Sequence, residues 1–458
     1  MQPFFEPENV VVVGASTKPG KAGYSVLGNI VQAMPAGTVW AVHPEATEIL
    51  GVPCCRAVAD VPAQADLAVI CLPPNLVLPA VQDCIAAGIK AVIIESGSMA
   101  EDESVARENA TQLRSLLEQC GHATRVMGPN SIGIVNLRTR LNTSLIPYAT
   151  LPQQQKPGVA VAGQTGLIAS GYLQRICEEG WFHLSKVCCM GNKLDINELD
   201  VLEYLKNDAD TSVIALYLED VKNGRAFYSL LRDVVAVKPV VIFKGGSTPQ
   251  GATAAQSHTG SIAGSGTIFA AAARQAGAIL ARNFEELFTI AEFLSKAPRP
   301  RGNSAGIISI TGAGCVLSLD SAAKNGLRVP PLGDVAHEII DPIVPSWDHV
   351  GNPVDLWSSI EKVSSPVAYN VAVKALLANG VDAIVIINLA MPESEFDWEG
   401  LSALRDASPG VAIVLCIIGG WPEIRRAWVS RAMDMDFPVA WSPDDALSII
   451  AKVQAPEK

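Results

Sequence analysis

Short runs of Val, Ile and Leu recur along the whole chain, each followed by an amphipathic stretch of about ten to fifteen residues, and this alternation constrains the fold more than any other feature. A strand of a parallel sheet is covered by helices on both faces, so it reads as a continuous apolar run instead of an alternating one. The first group of runs is VVVV (Val10 to Val13), TVWAV (Thr38 to Val42), LAVICL (Leu67 to Leu72), AVII (Ala91 to Ile94) and TRVMG (Thr124 to Gly128). A second group is GVAVAG (Gly158 to Gly163), KVCCMG (Lys186 to Gly191), VIALYLE (Val213 to Glu219) and KPVVIFKGG (Lys238 to Gly246). A third is AGIISIT (Ala305 to Thr311), DAIVIINLA (Asp382 to Ala390), VAIVLCIIGG (Val411 to Gly420) and FPVAW (Phe437 to Trp441). Two Pro-rich polar stretches, LPQQQKPG at Leu151 and PRPRGNS at Pro298, separate the groups. The pattern predicts an α/β chain of three doubly wound domains, residues 1–148, 152–297 and 303–458.

Composition narrows the function. A chain with 49% hydrophobic and 17% charged residues has material for several cores. A net charge of -12 and a pI near 5.1, with no basic run, argue against a nucleic-acid surface, so anionic ligands must be held locally. The ten cysteines are scattered, without the CxxC spacing of zinc or dithiol sites, and read as buried thiols in a reducing cytosol; no metal site is expected. No apolar run approaches about 18 residues and no leader pattern opens the chain, so a cytoplasmic protein without membrane contact is expected.

The chemistry lies where strands end. VVGASTKPGKAGYSVLGNI (Val12 to Ile30) is a Gly-rich strand-to-helix turn able to seat a phosphate on free amides at a helix N-terminus. It lacks the dinucleotide fingerprint, because Gly14 is followed by Ala15 and Ser16 and the second strand ends in His43–Pro44 without a ribose-binding acid. It is not a Walker loop either, since Gly20–Lys21 is followed by Ala22. The turns ESGSMAED (Glu95 to Asp102) and GPNSIGIVN (Gly128 to Asn136) could line the same crevice. In the second domain GQTGLIAS (Gly163 to Ser170) starts a helix where amides and dipole favour a phosphoryl group. Glu219 and Asp220 close the strand VIALYL, at the edge of the sheet shared with GATAAQSHTGSIAGSG (Gly251 to Gly266). That small-residue run reads as a loop able to carry a mobile nucleophile, His258. A carboxylate on one imidazole N–H fixes the tautomer and leaves the other nitrogen free to attack phosphorus, which is the role expected of Glu219. A tight packing turn, a Thr165 helix cap and a solvated acid are the ordinary alternatives for these same residues. The remaining histidines, His43, His122, His183, His337 and His349, are expected to be structural or surface groups.

In order along the chain, VVVGAS, DLAVICLPP, GPNSIGIVN, GQTG, GNKLDINELDVLEYL, YLEDV, KGG, SHTG, TGAG and GNPVDL resemble the nucleoside-diphosphate-forming acyl-CoA synthetases, relatives of succinyl-CoA synthetase, and in particular the alpha subunits of the ADP-forming acetate-CoA ligases. The resemblance implies a Rossmann-like CoA-binding domain followed by two flavodoxin-like domains. It implies that His258 is phosphorylated with Glu219 as its partner, that Gly163, Gln164, Thr165, Gly166 and Gly260 hold phosphate, and that CoA lies along Gly14, Ala15, Ser16, Lys21, Pro44, Ser96 and Asn130. Phosphate and coenzyme A would act on this chain, ATP/ADP with Mg2+ on an ATP-grasp beta subunit in an α2β2 heterotetramer, and the substrate would be a small carboxylic acid. The family's usual Ser-Gln-Ser-Gly, Asn-Pro and Gly-Pro-Asn-Cys are replaced here at Gly163 and Thr165, His43 and Ser131, which leaves the acid open. The main alternative is a catalytically silent CoA-binding regulatory or scaffold protein, which would need neither His258 nor Glu219. A fused CoA-dependent acyltransferase is the second alternative, and no segment here is assigned to an acetyltransferase domain.

Overall fold

The computed structural model describes residues 1–62, 64–146, 151–179, 181–259 and 265–455, the side chains of Glu179 and of residues 255–259 excepted. The chain divides into two compact units, Met1–Leu287 and Phe288–Lys458. The first holds two sheets and the second holds one.

Strands β1 (Val10–Val13), β2 (Val39–Val42), β3 (Glu48–Ile49), β4 (Val52–Cys55), β5 (Leu67–Ile70), β6 (Ala91–Ile94) and β7 (Arg125–Met127) form the first sheet, in the order β3-β4-β2-β1-β5-β6-β7. All neighbours are parallel except β3 against β4. Every residue of β1, β5 and β6 is buried, as expected of continuous apolar runs covered on both faces. The order reverses between β1 and β5, and that is where an open α/β sheet leaves a crevice at its carboxyl edge.

The second sheet contains β8 (Ile134–Asn136), β9 (Leu141–Asn142), β10 (Gly158–Gly163), β11 (Leu184–Cys189), β12 (Thr211–Leu218), β13 (Val240–Lys244) and β14 (Ile279–Ala281), ordered β14-β13-β12-β10-β11-β8-β9. Its reversal lies between β10 and β12. The sequence carries the first segment to residue 148, and within it β8 pairs antiparallel onto β11 and β9 onto β8, at the edge of the second sheet. Contacts such as the following fix the two sheets together. Asn29 Nδ2 donates to the carbonyls of Ser144 and Ile146, both at 2.8 Å; Arg125 on β7 meets Asp195 at 2.9 Å and Asp200 at 3.0 Å; and the Phe5 ring stacks on Tyr204 at 4.9 Å between centroids. One apolar cluster runs through both sheets, joining Val10, Val69 and Ile93 to Ala160, Ile214 and Ile242.

In the second unit β15 (Ala305–Ser309), β16 (Val354–Asp355), β17 (Ala383–Ala390), β18 (Ala412–Gly420) and β19 (Val439–Ala440) form an all-parallel sheet, ordered β16-β15-β17-β18-β19. It has its own core around Tyr369, Phe396, Trp398 and Trp428. All ten cysteines are free, but only Cys84, Cys188, Cys189 and Cys416 are fully buried, so the expectation of uniformly buried thiols is corrected. Among the described residues no helix is long and apolar enough to cross a membrane.

Candidate functional site

The turn after β1 is shaped by contact. Gly14 has φ +86°, and a Cβ there would stand 2.8 Å from the Cys71 carbonyl; a Cβ on Gly23 would stand 2.1 Å from the Gly14 carbonyl. Both glycines are therefore needed for the helix Ala22–Ala33 to seat its N-terminus against the turn. Among the described residues no hydrogen bond takes the N–H of Ala15, Ser16 or Thr17, and the Ser16 hydroxyl accepts from the Lys18 N–H at 3.1 Å. Lys21 is exposed at the start of the helix. These amides and this cation form a cradle that suits a phosphate.

Neighbouring strand ends extend the crevice. Ser96, after β6, donates its hydroxyl to the Leu72 carbonyl at 2.6 Å and accepts the Asn130 N–H on its own carbonyl at 2.8 Å, so the two turns expected to contact CoA meet. Asn130 has φ +60°, a left-handed conformation that Asn tolerates. Pro44 lies in the turn after β2 and receives the Arg56 guanidinium on its carbonyl. His43 Nδ1 accepts the N–H groups of Glu45 and Ala46 at 3.1 and 2.9 Å, a structural role. Glu95 is buried with Oε1 unpaired and Oε2 3.8 Å from the Cys71 sulfur; burial pushes both its carboxyl and the thiol well up.

Backbone hydrogen bonds carry the line of strand ends into the second sheet. Ser131 N–H donates to Ile94, its hydroxyl donates to Cys189, and Met190 N–H donates to Gly163 at 2.8 Å. There the site is dominated by a clamp. Gln164 Oε1 accepts the N–H groups of Glu219 (2.7 Å) and Asp220 (3.1 Å), and its Nε2 donates to Asp220 Oδ1 (2.8 Å). The side-chain amide of Gln164, within the turn expected to hold phosphate, is buried and fixes the acidic pair. Thr165 Oγ1 accepts the Leu167 N–H at 3.2 Å, and the helix expected after Gly166 begins as a π-helical stretch, Ile168–Tyr172, before Leu173–Glu179. Gly163 and Gly166 are required sterically, a Cβ at either meeting the Ile168 or Ile132 side chain at 2.8 or 2.4 Å.

Glu219 is only 8% exposed and accepts the Tyr217 hydroxyl at 3.2 Å. Burial and that carboxylate both raise the Tyr217 pKa, keeping the phenol a donor. Below the pair lies Lys193, fully buried, with Nζ 2.8 Å from Glu198 Oε2 and 2.5 Å from Asp220 Oδ1. Lys244, at the end of β13, donates to the carbonyls of Glu219 (2.6 Å) and Gly245 (2.5 Å), and desolvation lowers its pKa against the opposing pull of Asp220 and Glu219. Sequence reasoning missed Tyr217, Lys193, Glu198 and Lys244. For Tyr217 and Lys244 the signal was a hydroxyl or a charge at the end of an apolar strand, whereas Lys193 lies in a turn and Glu198 opens a helix, with no local signal.

His258 belongs to the helix Pro249–Thr259, which leaves the same carboxyl edge four residues after β13. The run was expected to be a loop; instead Pro249 opens the helix, Thr248 Oγ1 accepts the Gly251 N–H at 3.1 Å, and Ala252, Ala254 and Ala255 supply propensity. The His258 side chain and Gly260 lie outside the described residues. The turn at Gly163, the Glu219 carboxylate and the helix bearing His258 thus share one sheet edge. A phosphoryl group and a neutral imidazole nucleophile would find the required surroundings there. Among the described residues no group of three or more His, Cys, Asp or Glu is placed to hold a metal ion.

Comparison with known proteins supplies context. Residues 8–136 match a CoA binding domain, and residues 156–294 match a succinyl-CoA ligase like flavodoxin domain. The chain is 34% identical to the ADP-forming acetate–CoA ligase II of Archaeoglobus fulgidus over 99% of its own length and 66% of that protein's. It is 30% identical to the alpha subunit of ADP-forming acetate–CoA ligase II of Pyrococcus furiosus, over 91% of its length and 90% of that subunit's. Its fold superposes on acetyl-coenzyme A synthetase 1 of Candidatus Korarchaeum cryptofilum, solved with phosphate and ADP, with a TM-score of 0.85 at 29% identity, covering 99% of this chain and 96% of that one.

Proposed function

The chain belongs to the ADP-forming acyl-CoA synthetase family, and on that premise we propose that it is the CoA-binding and phosphohistidine-bearing part of an enzyme that interconverts acid, CoA and ATP with acyl-CoA, ADP and phosphate. Residues 1–148 bind CoA, 152–297 carry the phosphoryl chemistry and 303–458 form the third domain. The adenosine phosphates and arm of CoA lie along Gly14, Ala15, Ser16, Lys21, Pro44, Ser96 and Asn130. A phosphate oxygen attacks the thioester carbon, the C–S bond breaks, and acyl phosphate and the protonated thiol result. A ring nitrogen of His258 then attacks phosphorus, and the P–O bond to the acyl group breaks to release the carboxylate. Glu219 holds the imidazole in the attacking tautomer, while the turn Gly163, Gln164, Thr165 and Gly166, together with Gly260, faces the phosphoryl oxygens. The phosphoryl group passes to ADP with Mg2+ on an ATP-grasp partner, in an α2β2 assembly in the cytoplasm.

The observation that carries this proposal is the shared edge: the clamped Glu219, the Gly163 turn and the helix of His258 all leave the carboxyl ends of β10, β12 and β13. His258→Ala tests it. Acyl-CoA and phosphate should still yield free thiol and acyl phosphate, while labelled phosphate should no longer enter the protein and ATP formation with the partner should stop. Unchanged ATP formation by H258A would refute the assignment.

A further inference from the structure

Tyr217, near the end of β12, and Gly245, just after β13, meet at the strand edge that carries Glu219. Side chains two residues apart along a strand share a face, so the phenol stands beside the carboxylate and donates to its Oε1 at 3.2 Å. The Tyr217 ring packs against Phe243 at 5.3 Å and Phe284 at 5.0 Å between centroids, and those two meet edge to face at 5.1 Å. Tyr172, which ends the π-helical stretch, closes the group against Phe284 at 5.2 Å. Neighbouring strands leave a slot for the phenol. On β10 the partner of Tyr217 is Gly163, where a Cβ would stand 3.1 Å from the Tyr217 Cβ. At Gly245 a Cβ would stand 2.5 Å from the Tyr217 hydroxyl and 3.0 Å from the ring carbon that bears it. Gly245 is not among the glycines of positive φ, so what requires glycine there is clearance for the hydroxyl.

Among the described residues, Gln164 and Lys244 hold the main chain of Glu219, whereas Tyr217 holds its carboxylate. A donor on one carboxylate oxygen fixes the plane of the group and leaves the other oxygen to a second donor. We infer that Tyr217 is a positioning residue for phosphoryl transfer, its hydroxyl turning Oε2 of Glu219 toward the His258 imidazole, and that Gly245 is glycine to admit this bond. Tyr217 keeps its proton throughout and touches neither phosphorus nor the imidazole; it acts through the carboxylate that receives the ring N–H. A phenylalanine would fill the same aromatic group but could not orient the acid. The inference rests on the reading of Glu219 as the partner of His258, which it deepens by naming what aims that partner.

Tyr217→Phe keeps the ring and removes the hydroxyl. With the full chain, acetyl-CoA and labelled phosphate in single turnover, Y217F should release thiol at the wild-type initial rate. Label should enter His258 about tenfold more slowly, with the half-saturating acetyl-CoA concentration unchanged. Gly245→Ala, which crowds the hydroxyl off its acceptor, should copy Y217F. Glu219→Gln should be slower than either, and Y217F/E219Q no slower than E219Q, because the hydroxyl works through the carboxylate. A wild-type labelling rate in Y217F or G245A beside a slow E219Q would overturn the inference and leave the functional reading standing. So would a Y217F effect that adds in full to that of E219Q, or one that appears as a raised half-saturating concentration in place of a slower step. Wild-type labelling by E219Q would remove the reading of Glu219 itself, and the inference with it.

Discussion

Replacing Lys193 with Met keeps the length and apolar stem of the side chain and removes its charge. In the folded chain that charge is 1% exposed and faces two carboxylates, Glu198 at 2.8 Å and 0% exposure and Asp220 at 2.5 Å and 12%. It also donates to the Asp220 carbonyl at 3.0 Å. The variant would strand two like charges in a buried site, leaving Glu198, among the described residues, the Lys222 N–H at 3.1 Å and Asp220 the Gln164 amide. Breaking a buried pair by removing one partner costs about 3–5 kcal/mol, most of it the penalty on the charges left behind. For a unit of this size that is a fall of about 6 °C or more in Tm. Urea unfolding followed by far-UV circular dichroism measures it. A second variant, K193M/E198Q, should recover part of the loss, because one stranded charge has been neutralised. A K193M protein within about 1 kcal/mol of wild type would refute the reasoning, since only a hydrated or otherwise compensated lysine could be lost so cheaply.

Gln164→Leu removes the acceptor for two buried N–H groups and should cost about 1–3 kcal/mol, with slower entry of label at His258 and little change in KM for CoA; unchanged labelling would show that Glu219 needs no clamp. Glu95 is held neutral by burial, so the stability it contributes is complete below its ordinary value of 4.5 and is lost as pH rises through the raised value. Glu95→Gln copies the neutral form, and the Tm of wild type should fall relative to E95Q as pH rises above the ordinary carboxyl value of 4.5. Parallel curves would contradict that assignment.

Much of this was legible from the chain alone, because a strand buried on both faces must be apolar; β1, β5, β6 and β10 are such runs, and so is most of β12, β17 and β18. Strands of two or three residues, such as β3, β9 and β16, are too short for any period to emerge. The antiparallel return of Ile134–Asn136 onto the second sheet is a tertiary choice that no local pattern announces. Gly, Ser and Thr around His258 suggested a loop, and the three alanines between them outweighed that signal. Glu219 was legible as a strand-end acid. Its supports were not: Lys193 stands in a polar-looking turn, and a lysine in such a turn is ordinarily solvated. Only the convergence of β11, β12 and the helix Glu198–Asn207 buries it.

The strap formed by β8 and β9 has a consequence for timing as well as for shape. Because the chain crosses to the second sheet before it finishes the first segment, and Asn29 and Arg125 lock that crossing, the interval from the Gly14 cradle to the Gly163 turn is a fixed ruler. A rigid ruler gauges its ligand: an arm anchored by its phosphates at one end delivers its reactive tip to the same strand ends in every cycle. Shortened or lengthened CoA analogues should therefore lose turnover much more than affinity.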